Sequence, residues 1–441
     1  MIERSPGPVA EAVRMQASFL PTRPGPSAFL FLQGIASTFF ADLGRALEEK
    51  GHAVRRINFC AGDALFWRLP SDDFRGSQRR WPAFIGAYLR KHGITDLILF
   101  GDCRPMHRVA IEAAKPLGIR VHVFEEGYMR PNWITMELGG TNGHSSLPKT
   151  PDEIRALARR LPQPGRPMLA SGDMLRRSVW DVCYNVANLC FPYLYPGYRR
   201  HRPVHIAVEY AGWIGKLTRR KRVAREAAAV AQDFLGDPRG FFLLPLQLDS
   251  DYQIRIHSPF AGVRPFLEKA LESFARTAPE GVRLLVKLHP LDSGFGRWRG
   301  AVAEISERLG IADRVGFIDG GDLPSLIAAS RGVLIVNSTV GMLSLDMGRP
   351  TLALGTAIYA IPGLIHDGDL DSFWTAPQIP DGALMADFRR VVLNRAQING
   401  GFFSRGAIDR AVTGAVFRLE AAVPAPVADR ATAGAEIFSP A

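Results

Sequence analysis

The chain has 441 residues, 47% of them hydrophobic and 22% charged, which is typical of a globular protein large enough for two lobes. Its 54 Lys and Arg exceed its 43 Asp and Glu, and the net charge of +11 suits an anionic partner such as a nucleic acid, a nucleotide sugar or an acidic lipid. The four Cys form no Cys-x-x-Cys pair, and no apolar run reaches the roughly 20 residues of a membrane-spanning helix. We therefore expect a cytoplasmic protein without disulfides, transmembrane helices or a cysteine-built metal site.

The N-terminal part is predicted to form a Rossmann-like lobe over residues 27–150. Residues 1–26 hold acids and prolines without a continuous apolar core, so we expect a flexible leader and not a signal peptide. The elements that follow are a strand ending at Gln33-Gly34, a helix stopped by Gly51, a strand over 53–59, a polar turn over 61–67, a helix over 81–93, a strand over 96–102, a helix over 107–118 and a strand over 119–127. Such alternation is typical of a parallel sheet covered on both faces.

The same alternation returns over residues 240–375 and predicts a second Rossmann-like lobe. Its expected strands cover 240–247, 282–290, 315–320, 332–340 and 351–355, with a helix inside 258–278. Residues 151–239, between the lobes, are predicted to be a helical segment in which aromatic residues alternate with two basic clusters, Arg199 to Arg202 and Arg219 to Arg222. Residues 376–422 are predicted to be C-terminal helices packed on either lobe, and residues 423–441 to be a disordered tail.

Short polar motifs follow four of the predicted strands. They are Glu125-Glu126-Gly127, Gln247 to Asp251, His289-Pro290 and Asn337-Ser338-Thr339. Because open α/β sheets bind ligands at the carboxyl ends of their strands, we expect the four motifs to converge on one cleft. Carboxylates, an imidazole and hydroxyl groups in one cleft suit acid/base or displacement chemistry on a phosphorylated substrate, so the chain is predicted to be an enzyme.

Each motif also has a simpler structural interpretation. Glu125 and Glu126 carry a proton if burial and mutual repulsion raise one pKa, or are two solvated loop acids. His289, with Lys287 two residues earlier, binds a phosphate or assists a leaving group, although a lone histidine is more often structural. Both alternatives stay open at this point for both motifs.

The other two motifs leave a comparable choice. Asn337, Ser338 and Thr339 either cap a helix or share its N–H groups with a phosphate. Asp249 and Asp251 either hold a divalent cation beside a diphosphate or are surface acids, and a nucleophilic carboxylate is a third alternative. We favour a site without metal.

Weaker candidates for substrate binding follow other strands of the first lobe: Gln33, Gly34, Asp63 and Gly101-Asp102. The chain has no Gly-x-Gly-x-x-Gly fingerprint, which disfavours a dinucleotide-dependent dehydrogenase. The basic and aromatic residues of 151–239 predict either solvated helices between the lobes or attachment to an anionic membrane surface. No recognised nucleic-acid-binding motif accompanies them, so we favour the membrane and expect no nucleic acid partner.

In their order along the chain, these motifs resemble those of bacterial sialyltransferases and capsule-synthesis Kdo transferases. The resemblance is closer to the KpsS-type capsular polysaccharide proteins, which are related to the KpsC type. The segments that carry it are FLFLQG (29–34), INFCAGDALFW (57–67), FEEGYMRP (124–131), PLQLDSDYQI (245–254), KLHP (287–290) and NSTVG (337–341). Their joint order is far more specific than any single motif.

The resemblance implies a GT-B-like α/β architecture, with two Rossmann-like lobes and a cleft between them. It also implies CMP-Kdo as the donor, no cofactor, and retaining transfer of β-Kdo to an anionic glycerophospholipid of the phosphatidylglycerol type. The implied place is the inner face of the bacterial inner membrane, with a KpsC-type transferase and the capsule export complex as partners. Two alternatives are a GT-B-like enzyme for another nucleotide sugar and a non-enzymatic capsule-assembly scaffold.

Roles for individual residues also follow from the resemblance. His289 would contact the CMP phosphate, and Ser338 and Thr339 would bind the phosphate or the cytidine. The Glu125-Glu126 pair would supply the acid/base carboxylate, and Asp251, ahead of Asp249, would be the nucleophile. The first lobe would then face the acceptor and the second lobe would hold the donor.

Overall fold

A computed structural model describes residues 25–165, 167–169, 173–200, 206–249, 251–292 and 297–421. The predicted leader up to residue 24 and the predicted tail lie outside the described residues, as do His201, Arg202 and Ser250. In the described part, two sheets built mainly of parallel strands form two lobes, which confirms the predicted α/β, GT-B-like class. No helix in these ranges combines the length and the apolar character that crossing a membrane requires.

The first lobe alternates strands and short helices, as the hydrophobic periodicity predicts. Its elements are β1 (Ala28–Phe31), α1 (Phe39–Glu48), β2 (Ala53–Asn58), α2 (Ala61–Trp67), β3 (Asp72–Asp73), α3 (Trp81–Lys91), β4 (Asp96–Phe100), α4 (Pro105–Ala114), β5 (Arg120–Glu126) and β6 (Trp133–Leu138). The segment expected to be a polar turn is α2, because the side chain of Asp63 folds back to accept the N–H of Phe59 at 3.0 Å.

Three helices connect the lobes, and the second lobe follows. The connecting helices are α5 (Pro151–Ala158), α6 (Met174–Cys190) and α7 (Ile206–Leu235). The second lobe contains β7 (Phe241–Pro245), α8 (Tyr252–Ile256), α9 (Val263–Thr277), β8 (Arg283–Lys287), α10 (Trp298–Arg308), β9 (Val315–Ile318), α11 (Leu323–Ala329), β10 (Gly332–Ile335), α12 (Val340–Asp346), β11 (Thr351–Ala353) and α13 (Leu370–Thr375). The chain ends in α14 (Gly382–Arg395), β12 (Gln397–Asn399) and α15 (Arg405–Glu420).

The order of the strands places one topological switch point in each lobe. Among the described residues, the first sheet has the order β12-β6-β5-β4-β1-β2-β3 and the second β11-β10-β7-β8-β9. The first sheet departs from the expected parallel arrangement, because β6 pairs antiparallel with β5 and β12 pairs antiparallel with β6. The switch points, where ligands bind in such sheets, lie between β1 and β4 and between β7 and β10.

Alternating side chains give each sheet two buried faces. In β1, Phe29 and Phe31 pack with α1 and α15, whereas Leu30 and its neighbours pack with α3 and α4. In β7, Leu243 packs with α7, α11 and α14, and Phe242 packs with α9 and α13. The C-terminal segment therefore spans both lobes, since α14 covers the second sheet while β12 and α15 complete the first.

Candidate active site

At each switch point, a glutamine that follows one strand makes a hydrogen bond to a residue that follows the other strand. In the first lobe, Arg104, which follows β4, donates from Nη1 to Gln33 Oε1 at 3.1 Å. In the second lobe, Gln247 Nε2 donates to Asn337 Oδ1 at 3.0 Å, and the N–H of Asn337 donates to Gln247 Oε1 at 3.1 Å. The predicted binding residues Gln247 and Asn337 thus join the ends of β7 and β10 and shape the floor of the cleft.

The predicted substrate-binding residues Gln33 and Asp63 lie beneath α6. Tyr184 of α6 receives a hydrogen bond from Gln33 Nε2 at 2.9 Å and donates from its hydroxyl to Asp63 Oδ1 at 3.2 Å. The buried Arg56 guanidinium lies 3.6 Å from Asp63, and burial lowers its pKa. A Cβ added to Gly62 would lie 2.5 Å from the Tyr184 ring, so only glycine fits there. These residues position α6, and Asp63, Gly62 and Tyr184 also line a small pocket together with Gly34.

Glu125 and Glu126 end β5, and strand geometry separates their side chains. Successive side chains of a strand point to opposite faces, so the two carboxylates do not form one site. Glu126 Oε1 lies 3.1 Å from Nη2 of Arg177 on α6. Glu125 faces the end of β4, where Gly101 has a φ of 72° and an added Cβ would lie 3.0 Å from Glu125 Oε1. Glycine at position 101 therefore makes room for Glu125.

Glu125 is the stronger acid/base candidate of the two. The pKa of Glu125 is raised to about 8, and loss of hydration is the largest cause. The charge of Arg104 opposes the rise, whereas the carboxylates of Asp251, Asp102 and Glu126 add to it in that order. Of the two expected causes, burial therefore outweighs the repulsion between the adjacent acids. A carboxyl group that ionises near pH 8 can exchange protons with a substrate at physiological pH.

Asp249 and Asp251 have different surroundings. Asp249 Oδ1 accepts the N–H of Val263 at 2.9 Å and Oδ2 lies 3.5 Å from Arg255, so this carboxylate holds the start of α9. Asp251 is partly exposed and close enough to Glu125 to raise its pKa. This division favours Asp251 over Asp249 as the reacting carboxylate. Within the described ranges, neither acid belongs to a group of three potential metal ligands.

His289 follows β8 and faces cations from both sides of the cleft. Its Nδ1 accepts the N–H of Leu291 at 3.1 Å, so the neutral imidazole carries its proton on Nε2 and can donate it to a ligand. The pKa of His289 is lowered to about 4, mainly by loss of hydration and in addition by nearby positive charges. The cations that act on it are Arg130, Lys287, Lys216 and Arg177.

We call the four side chains around His289 the cationic cluster: Arg130, Arg177, Lys216 and Lys287. Lys216 of α7 donates to the carbonyl groups of Pro290 and Asp292 and lies 3.1 Å from Asp319. Lys287 is buried, and loss of hydration lowers its pKa. The positive charges of the cationic cluster and the neutral imidazole of His289, which can donate from Nε2, together form a site for an anion.

Ser338 and Thr339 lie where α12 begins. Ser338 Oγ accepts the N–H of Val340 at 3.2 Å, and the Ser338 carbonyl accepts the hydroxyl of Tyr359. Thr339 is the residue before the helix, and its side chain makes no capping hydrogen bond. Ser338 thus supports the local turn, and the phosphate- or cytidine-binding role predicted for Ser338 and Thr339 stays a prediction.

Sequence reasoning missed several charged residues of the site. The sequence points to the strand end at Gly101 but not to Arg104, three residues later. Arg130 lies within the FEEGYMRP motif, which was assigned to its carboxylates alone. Arg177 and Lys216 belong to α6 and α7, in the segment interpreted as a membrane contact. Their positions depend on how the connecting helices cross the cleft, which no local pattern reveals.

A cysteine and two histidines meet between the lobes, a grouping that sequence reasoning did not find; the expectation of a site without metal stays a prediction. This interlobe Cys–His cluster consists of Cys103, His144 and His257, with ligand atoms within 4.8 Å of one another. Cys103 Sγ lies 3.3 Å from His257 Nε2, and His144 Nδ1 lies 2.8 Å from a carboxylate oxygen of Asp102. These are residue types that hold zinc, and Asp102 would orient one ligand. A cavity of about 650 Å³ adjoins it, lined partly by His257 and Thr356.

Comparisons with known proteins identify the family. The family model for capsule polysaccharide biosynthesis proteins matches residues 95–403. The chain belongs to this family. It is 31% identical over 393 residues to the capsule polysaccharide export protein KpsS of Escherichia coli, a match that covers 88% of this chain and 100% of that protein. The predicted resemblance to KpsS-type capsule proteins is thereby confirmed.

Two further relatives extend this comparison. The chain is 33% identical over 383 residues to the capsule polysaccharide modification protein LipB of Neisseria meningitidis serogroup B, covering 85% of this chain and 91% of that protein. Among solved structures, the KpsC β-Kdo 2,7 transferase of Thermosulfurimonas dismutans matches with a TM-score of 0.44 and 14% identity, covering 88% of this chain and 99% of that one.

Proposed function

We propose that this capsule-family protein is a glycosyltransferase that moves β-Kdo from CMP-Kdo to a phosphatidylglycerol-type lipid. The observation that carries the proposal is that Glu125 lies close to Asp251 at the end of β5, while the adjacent Glu126 pairs with Arg177, one of the cations around His289. Proton transfer, nucleophilic attack and stabilisation of a phosphate leaving group require these three kinds of group.

The charge of the cluster matches the donor. A CMP-activated acidic sugar carries one negative charge on its phosphate and another on its sugar carboxylate. His289 Nε2, Lys287 and Arg130 would receive the phosphate, and Arg177 would receive the second anionic group. A monophosphate leaving group needs less help from a cation than a diphosphate, so we propose that turnover needs no metal.

The two carboxylates support a double displacement that retains configuration. First, the Asp251 carboxylate bonds to the anomeric carbon while the bond from that carbon to the phosphate oxygen breaks, and CMP leaves with the electron pair. Next, the acceptor hydroxyl oxygen attacks the same carbon, Glu125 takes the hydroxyl proton, and the Asp251 carboxylate leaves. Two inversions restore the original configuration.

The decisive experiment incubates the purified protein with CMP-Kdo and either phosphatidylglycerol or phosphatidylcholine, followed by mass analysis of the lipid. We expect phosphatidylglycerol to gain the mass of Kdo and CMP to be released in equal amount. Absence of any lipid product, or product from another nucleotide sugar only, would refute the donor assignment. Because the relatives are named for capsule export and modification, we also propose action at the cytoplasmic face of the inner membrane with capsule-assembly partners.

A non-enzymatic scaffold is the second candidate function, favoured by the exposed arginines of α7 at positions 219, 220 and 222. Glu125→Gln, Asp251→Asn and His289→Ala, combined in one protein, are expected to abolish turnover without unfolding it. Capsule formation by cells that carry all three substitutions would favour the scaffold.

A further inference from the structure

Helix α6 has two faces of opposite character. Its inner face packs on the first lobe through Trp180, whose ring centroid lies 5.7 Å from that of Phe66, and through the Tyr184 contacts described above. One turn further, Asn188 Oδ1 accepts the N–H of Gly62 at 2.8 Å. The inner face is therefore fixed to the acceptor side of the cleft.

The outer face carries an uninterrupted apolar line. Its large residues follow one another at spacings of four, three, four and three, so they lie along one side of the helix over about 21 Å. They are Leu175, Val179, Val182, Val186 and Leu189, exposed by 77%, 49%, 43%, 45% and 58%. Every exposed residue of α6 from Ser178 to Cys190 is uncharged. Single exposed apolar residues are ordinary, but a contiguous line of them marks an interaction surface.

Aromatic and basic residues follow the apolar line. Phe191 and Tyr193 are exposed directly after α6. The chain then contacts the first lobe again, where Gly197 lies against the backbone of Gly76. Arg79 and Arg80, which follow Gly76 closely in sequence, are exposed. Aromatic residues next to an apolar stripe, followed by contact with a segment that carries exposed arginines, match the composition of a surface that binds an anionic membrane.

A second helix is a poorer match for this surface. An apolar line at heptad spacing also suits a coiled coil, but coiled coils place charged residues beside the line to fix their partner. Beside the α6 line lie Ser178, Cys183 and Cys190, and the charged residue at the start of this flank, Arg176, pairs with Asp173 within its own turn. We propose that the outer face of α6 inserts into the surface of a bilayer that contains anionic phospholipid.

This inference deepens the proposed function, and it rests on that function only for the statement that the lipid is also the acceptor. Because the inner face of α6 contacts Gly62 and Asp63, insertion of the outer face would place the first lobe against the headgroups. A lipid hydroxyl could then reach the cleft without leaving the membrane.

The native cysteines allow a direct test. Cys183 and Cys190 are exposed on α6, whereas Cys60 and Cys103 are buried and burial raises the pKa of both thiols. An environment-sensitive thiol dye should therefore label α6. On adding vesicles of phosphatidylglycerol and phosphatidylcholine, we expect the dye emission to shift to the blue and to be quenched by spin-labelled acyl chains.

A variant and a matched control complete the test. Val182→Glu with Val186→Glu is expected to lower partitioning into these vesicles at least tenfold, on the order expected for two valines. Ile379→Glu, at a residue 77% exposed elsewhere, is expected to bind vesicles like the unmodified protein. Unchanged emission, a blue shift on concentrating the protein without vesicles, or wild-type binding by the double variant would each overturn the proposal. The double variant should still transfer sugar to an acceptor dispersed in detergent. If neither the unmodified protein nor the double variant does so, the proposed function is contradicted and the membrane proposal is not.

Discussion

Substitution of Glu125 by glutamine tests the central electrostatic feature of the cleft. The pKa of Glu125 is raised from 4.5 to about 8, so the folded protein holds a proton that the unfolded chain has released between these pH values. The unfolded state then binds fewer protons than the folded state, and stability falls as pH rises through this window. Each pH unit costs about 1.4 kcal/mol until the carboxyl group ionises in the folded protein as well.

The contribution of Glu125 to the free energy of unfolding can be compared at two accessible pH values. Between pH 6 and pH 9 the wild-type protein loses about 3 kcal/mol of unfolding free energy through Glu125, after allowing for saturation near pH 8. Glu125→Gln cannot ionise, so the stability of the variant relative to wild type should rise by about that amount between these pH values. Glu126→Gln, one residue away beside Arg177, should show no comparable gain.

Denaturant unfolding of the three proteins at both pH values measures this difference, because titrations common to all of them cancel. If the difference in unfolding free energy between Glu125→Gln and wild type is the same at pH 6 and pH 9, the assignment of a raised pKa to Glu125 is refuted. In the transfer assay, wild-type activity should rise with pH toward about 8, as the base form of Glu125 becomes populated, and Glu125→Gln should be inactive throughout.

Three further predictions concern the rest of the cleft. Asp251→Asn should lower turnover by more than about 10³-fold with little change in melting temperature, whereas Asp249→Ala should lower the free energy of unfolding by about 1 kcal/mol because the N–H of Val263, the first residue of α9, loses its acceptor; similar activity losses in both would contradict this division. His289→Ala should lower turnover by about 10²-fold and weaken CMP binding measured by calorimetry, and unchanged CMP affinity would place the phosphate elsewhere. EDTA should leave turnover unchanged; recovery of lost activity by Mg²⁺ would return the two aspartates to metal binding, and recovery by Zn²⁺ would implicate the interlobe Cys–His cluster.

The sequence by itself determined the class of fold and the strand ends at which chemistry is concentrated. Alternating apolar runs and helical spacing are local properties, so β1, β5, β7 and β8 could be predicted with the polar motifs that follow them. The order of those motifs along the chain is likewise a property of the sequence alone, and it was enough to indicate the family. The short helix α2 and the antiparallel strands β6 and β12 were missed, because they depend on local hydrogen bonds and pairing that periodicity does not encode.

Only the tertiary structure decided which groups of the cleft face one another. Strand alternation sent Glu125 and Glu126 to opposite faces, and burial at the end of β4, near Asp251, gave Glu125 its raised pKa. The crossing of α6 and α7 brought Arg177 and Lys216 to His289, and the meeting of the lobes placed Cys103 beside His257. Burial and charge contacts between distant segments set these properties, and a linear pattern carries no information about such distances.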